Sequence, residues 1–154
     1  MAGIHSVAGT TLGISAALPA TYDATGYAAL TYTNIGNIDN AGEHGRVYNE
    51  ITFNPIDTRG TRKLKGSFNE GNKTVTLAYE AGDAGLLILK SALLSDADFS
   101  FKNTYQGGDI DYFIAKVMSL TKASSSVDDI FMATVELSLS SSKSGVGIVE
   151  VIAP

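Results

Sequence analysis

Two long runs of alternating residues, 110–122 and 128–142, constrain the fold of this chain more than any other feature. In the second run apolar residues fall on one parity and mostly small polar residues on the other, which is the period of a half-buried strand. In the first run both parities carry apolar groups, so we expect both faces of that strand to meet protein. Residues 123–126 between them are small and polar, which is typical of a hairpin turn. The sequence therefore predicts a long antiparallel ribbon.

Shorter alternating patterns predict further strands on both sides of this ribbon. They cover residues 10–16, 32–38, 47–53, 75–79, 99–105 and 147–152. Residues 22–30 and 39–45 are rich in turn-forming residues and are predicted to be irregular. The core is expected to include the aromatic residues Phe99, Phe101, Phe113 and Phe131.

One helix is expected, over residues 84–94. Asp83 precedes it and can accept hydrogen bonds from the free N–H groups of the first turn. Leu86, Leu89 and Leu93 share one face of this helix, which should cover an open face or end of the sheet. The fold class predicted is mainly β, a β-sandwich or small barrel carrying one flanking α-helix.

Composition and net charge limit the classes of function that this chain can have. The chain has 154 residues, enough for one domain, and 44% hydrophobic with 18% charged residues indicates a globular protein. It has no cysteine, which excludes disulfides and thiolate metal sites. A net charge of −5 disfavours tight binding to nucleic acid. The sequence shows neither a membrane-spanning stretch nor a signal peptide, so we expect a soluble protein made in the cytoplasm.

Catalytic groups are scarce. The only imidazoles, His5 and His44, lie in glycine-rich segments that would position a general base poorly. We therefore expect no enzyme activity, no cofactor and no metal. Acidic pairs occur at predicted strand ends, where aspartates commonly cap turns; they are Asp96 with Asp98, Asp109 with Asp111, and Asp128 with Asp129.

A dense basic run lies within residues 58–65. It has no apolar stripe and is predicted to be a long, mobile loop, a class of segment that is often functional. Three interpretations stay open: a solvated loop, contact with an acidic surface of another subunit, and phosphate binding. The basic residues are Arg59, Arg62, Lys63 and Lys65.

Several segments, taken in order and spacing over residues 10–142, together resemble one known family. They are YTNIGNI (32–38), EIT (50–52), TRKLKG leading to EG (61–71), VTLAYE (75–80), the helix at 84–94, DYFIAKV (111–117) and TVELSLS (134–140). This arrangement resembles the major tail tube protein of long-tailed, siphovirus-type bacteriophages.

The resemblance implies a structural virion protein whose subunits complete a continuous inner β-barrel as hexameric rings. The rings would stack into the hollow tail tube that conducts double-stranded DNA into the host, without specific DNA contacts. The flexible N-terminal arm (1–9), the long loop (54–69) and the C-terminal arm (143–154) would link successive rings. Expected partners are further copies, the tape measure protein, the tail terminator, and distal tail or baseplate proteins, with assembly in the host cytoplasm.

The resemblance and the residue patterns together predict which residues line the lumen and which contact the adjacent ring. Thr134, Glu136 and Ser138 lie on the non-core parity of their strand, and we expect them to line the lumen, where a negative, small-polar wall repels phosphate. The basic residues named above are expected to contact the adjacent ring. Alternative functions are a non-catalytic β-sandwich binding module, such as an adhesin or a carbohydrate-binding domain, and a type VI secretion-like tube protein. Sugar sites commonly stack on aromatic residues, and the absence of tryptophan disfavours the binding module.

Overall fold

The computed structural model describes residues 3–154 and is mainly β in that range. The elements are β1 (Thr11–Ser15), α1 (Ala24–Ala28), β2 (Thr33–Asn34), β3 (Ile38–Asn40), β4 (Val47–Phe53), β5 (Arg62–Asn69), β6 (Asn72–Ala78), α2 (Ala84–Leu93), β7 (Phe99–Thr104), β8 (Ile110–Ala123), β9 (Met132–Ser140) and β10 (Val149–Val151). Seven strands form one antiparallel, half-barrel sheet in the order β2-β1-β7-β8-β9-β6-β3, and an eighth strand, β10, joins this sheet by pairing with β8. Strands β4 and β5 form a separate hairpin.

The predicted ribbon is present as β8 and β9, paired antiparallel with Val117 opposite Leu137. Strand β9 begins four residues later than the alternation suggested, at Met132 instead of residue 128. The reason is local, because the Asp129 carboxylate accepts a hydrogen bond from the Ser126 N–H (3.1 Å) and holds this part of the connection as a turn.

Helix α2 packs on one face of the sheet, as predicted. Asp83 caps it by accepting from the Leu86 N–H at 3.0 Å. Leu86 and Leu89 are buried against the sheet core, which includes Phe101 and Phe113. Complete burial of each leucine contributes on the order of 1.5–3 kcal/mol, so this face provides most of the hydrophobic stabilisation of the helix.

A second, unpredicted helix covers the opposite face of β8. Residues 22–30 were expected to be irregular, but α1 forms there, capped by Asp23, which accepts from the Gly26 N–H at 2.7 Å. Tyr27 of α1 is buried and stacks on Tyr112 with ring centroids 5.3 Å apart. The expectation that both faces of the first ribbon strand meet protein is thereby confirmed for its first half.

Two other details differ from the sequence pattern. The strand expected at 32–38 is divided into β2 and β3, because Asn37 adopts a left-handed backbone (φ 60°) that an extended strand cannot include. Phe131 was expected in the core but is 43% exposed, since it precedes β9; its ring lies 5.0 Å from that of Tyr79, between centroids.

Candidate assembly surfaces

The outward face of β9 and its neighbours is small and polar. Thr134, Glu136 and Ser138 share this face, and Glu136 is exposed while the alternate positions of β9 are buried. Glu136 lies opposite Thr74 of β6 and Ser119 of β8, and it accepts a hydrogen bond from the Thr74 hydroxyl at 3.0 Å. The three residues expected to line a lumen therefore lie together on one accessible surface.

This polar face carries little uncompensated charge. Three consecutive rows of paired residues cross β6, β9 and β8 on this face, and the only ionisable side chains in these rows are Glu136 and Lys116. Lys116 is neutralised, because its Nζ donates to Asp98 at 2.7 Å. The face therefore has a weakly negative character. The rows are Asn72, Ser138 and Lys116; Thr74, Glu136 and Ser119; Thr76, Thr134 and Thr121.

The second half of β8 is an open edge. Strand β7 pairs with β8 only along residues 110–115. Residues 116–123 have β9 on one side and, within the part of the chain that the structure describes, no strand on the other. Within the described residues, the end strands of the sheet are β2, which pairs with β1, and the short strand β3, which pairs with β6. An edge of this kind presents unpaired N–H and C=O groups that can pair with another chain.

The basic run does not lie in a long loop. The prediction of a loop over 54–69 is wrong for its second half, because Arg62–Asn69 forms β5 and pairs with β4. Only residues 54–61 remain as the tip of this hairpin. Tyr48 pairs with Phe68 but Glu50 pairs with Lys65, so β5 has one extra residue between these pairs. This irregularity interrupts the alternation of β5 and hides the strand in the sequence.

The predicted inter-ring residues are spread along this hairpin. Arg59 lies in the tip, and the other three lie on β5, all of them exposed. Lys63 Nζ is 3.8 Å from Glu50, and Lys65 Nζ lies 4.6 Å above the Tyr48 ring. The structure therefore brings Arg62, Lys63 and Lys65 onto one strand, with Arg59 beyond it.

One face of the hairpin is apolar and uncovered. Ile51, Phe53 and Leu64 are 50%, 59% and 65% exposed, and Ile51 lies opposite Leu64. An isolated two-stranded hairpin is marginally stable in water. At the root, Arg46 pairs with Glu70 at 2.7 Å and covers the Phe68 ring, which joins the two strands. The Arg46 guanidinium also donates to the Gly145 carbonyl at 3.3 Å, which ties the hairpin to the C-terminal segment. The free part of the hairpin thus has the composition of an arm that docks on a partner.

His44 lies in a glycine-rich segment that was expected to position a general base poorly, whereas in the structure its ring has several polar contacts. Its Nε2 is 2.8 Å from Asp111 Oδ2, its Nδ1 is 3.2 Å from Lys73 Nζ, and the Tyr105 hydroxyl donates to the same Asp111 oxygen at 2.7 Å. Burial lowers the pKa of Lys73 to about 8. Burial opposes ionisation of Asp111, but hydrogen bonds from His44 and Tyr105 outweigh it and lower its pKa. The cluster attaches the 39–45 segment to the sheet and contains no serine, threonine or cysteine nucleophile.

Among residues 3–154, no group of three or more His, Asp or Glu side chains is arranged to hold a metal ion. No helix in the same range has the length and apolar character needed to cross a membrane.

The C-terminal segment is not a free arm along its whole length, whereas the expectation for the N-terminal arm stays a prediction. Of the segment 1–9, Met1 and Ala2 lie outside the described residues. In the segment 143–154, strand β10 pairs with β8 of its own sheet, with Glu150 opposite Asp111. This pairing agrees with the strand expected at 147–152.

Solved structures of other proteins have a fold similar to that of this chain. No protein-family model and no curated protein matches this sequence. The SPP1 tail tube has a TM-score of 0.61 at 16% identity, over 92% of this chain and 75% of that chain. The sheath/tube terminator of the extracellular contractile injection system PVC has a TM-score of 0.67 at 11% identity, over 98% and 99%. A chain of the anti-feeding prophage (AFP) baseplate has a TM-score of 0.66 at 8% identity, over 98% and 97%. The chain therefore has the tail tube fold, which solved structures from a phage tail and from contractile injection systems share.

Proposed function

We propose that this protein is a non-catalytic structural subunit of a phage tail, in which hexameric rings stack into a hollow tube. The observation that carries the proposal is the open edge of β8 at residues 116–123 in a half-barrel sheet. Pairing this edge with the margin of the next copy satisfies its backbone groups. The two margins of the sheet differ, so the contact is head-to-tail, and such contacts close into a ring when the rotation permits.

The polar face of β9 is proposed to line the bore. Its one uncompensated charge, Glu136, repeated around a ring, repels the phosphates of passing DNA. Thr134 and Ser138 are short and uncharged, and Lys116 is occupied by Asp98. Double-stranded DNA would therefore pass without being retained by the wall.

The β4–β5 hairpin is proposed to join successive rings, through Arg59, Arg62, Lys63 and Lys65, and the two terminal segments would contribute to the same junction. Contacts between exposed charges weaken with salt, so stacking should be salt-sensitive. In this role the partners are further copies, a tape measure protein, a tail terminator and distal tail or baseplate proteins. The assembled location is the virion, after assembly in the host cytoplasm.

Hydrogen exchange tests the ring proposal. Backbone amides of residues 116–123 that point away from β9 should exchange quickly in monomers and slowly in the assembled polymer. Amides that β9 donates to its neighbours serve as the control, because they are already bonded within one copy. A polymer in which residues 116–123 gain no protection would contradict the proposal.

A second candidate is a tube or tube-terminating protein of a contractile injection system. It is favoured by the nearly complete mutual coverage with the PVC terminator chain. Electron microscopy of the purified protein distinguishes these roles. A terminator stays as a single ring, whereas a tube protein of a phage tail or of an injection system extends into long polymers.

A further inference from the structure

A cavity of about 830 Å³ opens at the root of the β4–β5 hairpin. It is walled by residues 38–46 and by residues at the ends of several strands of the main sheet. Among the described residues that line it, acidic side chains outnumber the two basic ones, Arg46 and His44. The acidic lining residues are Asp39, Glu43, Glu70, Asp111 and Glu150.

Within residues 3–154, three buried oxygens of residues that line the cavity have no hydrogen-bond partner. They are Thr10 Oγ1, Glu70 Oε2 and Asn103 Oδ1. Glu70 is 3% exposed and Asn103 is 2% exposed, so solvent does not satisfy them. A buried acceptor without a donor is costly. The wall of the cavity therefore contains acceptors that no group of the described residues satisfies.

The charge of the cavity is only partly balanced within the subunit. Glu70 is paired with Arg46, and Asp111 is held by the His44 cluster. Asp39, Glu43 and Glu150 are outside every ion pair among residues 3–154, and their side chains are accessible. An uncompensated negative rim of this kind attracts a cation.

The chain itself carries matching cations at the far end of the hairpin. Arg59 and Arg62 have no carboxylate partner within the described residues. A guanidinium presents five N–H donors in a fixed fork, which suits the exposed carboxylates of the cavity rim. Strand β4 has seven residues, so the tip lies roughly 23 Å from the root. A straight hairpin cannot bring its own tip to the cavity beside its root, so the arginine must come from another copy.

We propose that the acidic cavity of one copy receives Arg59 or Arg62 from the hairpin of a neighbouring copy. The inference rests on the proposed ring stacking and names its receptor surface. Docking there neutralises the exposed carboxylates of the rim, Asp39, Glu43 and Glu150.

Charge reversal with rescue tests this contact in the full chain. The double change Arg59→Glu and Arg62→Glu should raise the protein concentration needed for tube formation by at least about tenfold. Adding Glu43→Lys and Glu150→Lys should restore most of the loss, whereas the matched pair Asp96→Lys and Asp128→Lys, at exposed positions that do not line the cavity, should not. Circular dichroism of each variant confirms folding. Equal rescue by the control pair, or no defect in the first variant, overturns the inference.

Cysteine pairing tests the same contact independently, because the chain contains no cysteine. Copies carrying only Arg62→Cys are mixed with copies carrying only Glu150→Cys under mild oxidation, and a disulfide-linked dimer is expected. Copies with Asp128→Cys replace the second partner as the control. Tubes that form without the expected cross-link overturn the cavity inference and leave the tube proposal standing. A specific cross-link without tubes supports the contact and counts against the tube.

Discussion

Removing the Asp83 carboxylate should destabilise the subunit more than the loss of an ordinary helix cap. Asp83 Oδ2 accepts from the Leu86 N–H at 3.0 Å and from the Gly36 N–H at 3.2 Å. One oxygen therefore caps α2 and also ties it to the segment between β2 and β3. In Asp83→Ala the helix loses its cap and the Gly36 N–H loses its partner.

The magnitude follows from these two bonds. Loss of an N-cap costs about 1 kcal/mol, and an N–H left without its partner in a part-buried site costs about 1 kcal/mol more. Asp83→Ala should therefore lower the free energy of unfolding by about 2 kcal/mol. For a chain of 154 residues, each kcal/mol shifts Tm by about 2–4 °C, which predicts a decrease of about 4–8 °C.

Differential scanning calorimetry and urea unfolding of the monomer measure this change. Asp83→Asn is the matched control, because asparagine caps helices about as well as aspartate, and it should lose less than half as much. Asp96→Ala removes an exposed carboxylate and should have little effect. The reasoning is refuted if Asp83→Ala stays within about 0.5 kcal/mol of the parent, the range typical of neutral surface changes.

Three further predictions concern the core, the buried lysine and the polar face. Leu89→Ala should cost about 2–5 kcal/mol in urea unfolding, whereas Leu87→Ala, at a half-exposed site, should cost far less; similar losses would argue against the packing of α2. The pKa of Lys73 is about 8 when folded, below its ordinary 10.5, so the unfolded state binds more protons between these values and stability should rise from pH 8 to about pH 10. Above that pH the raised pKa of the partly buried Tyr105 acts in the opposite direction. Lys73→Met should remove the rise, and a flat profile for the parent would contradict it. Glu136→Lys should leave tubes intact but make them co-sediment with DNA at low salt, and tubes that still exclude DNA would count against a lumenal Glu136.

Much of the fold follows from local patterns. The β8–β9 ribbon is set by strict alternation, and α2 is set by Asp83 together with the leucines that share its buried face. These signals lie within a few residues of each other, so one sequence contains them. The polar parity of β9 likewise predicts which side of that strand is accessible.

Other features depend on distant contacts. Helix α1 has five residues, and its Tyr27 is held by stacking on Tyr112, far along the chain. Strand β5 is concealed by charges on both parities and by a register shift. His44 acquires its partners, Lys73 and Asp111, from strands that only the folded sheet brings near. One signal was available, since Lys73 occupies the buried parity of β6 and therefore required a polar partner.

A cryo-EM map of the polymer formed by this protein tests the central claim most directly. The account predicts a hollow tube in which residues 116–123 of β8 pair with a strand of the neighbouring copy, while Thr134, Glu136 and Ser138 face the bore. Protein that remains monomeric at high concentration with its natural initiating partners, or a tube whose β8 edge faces solvent, would contradict it.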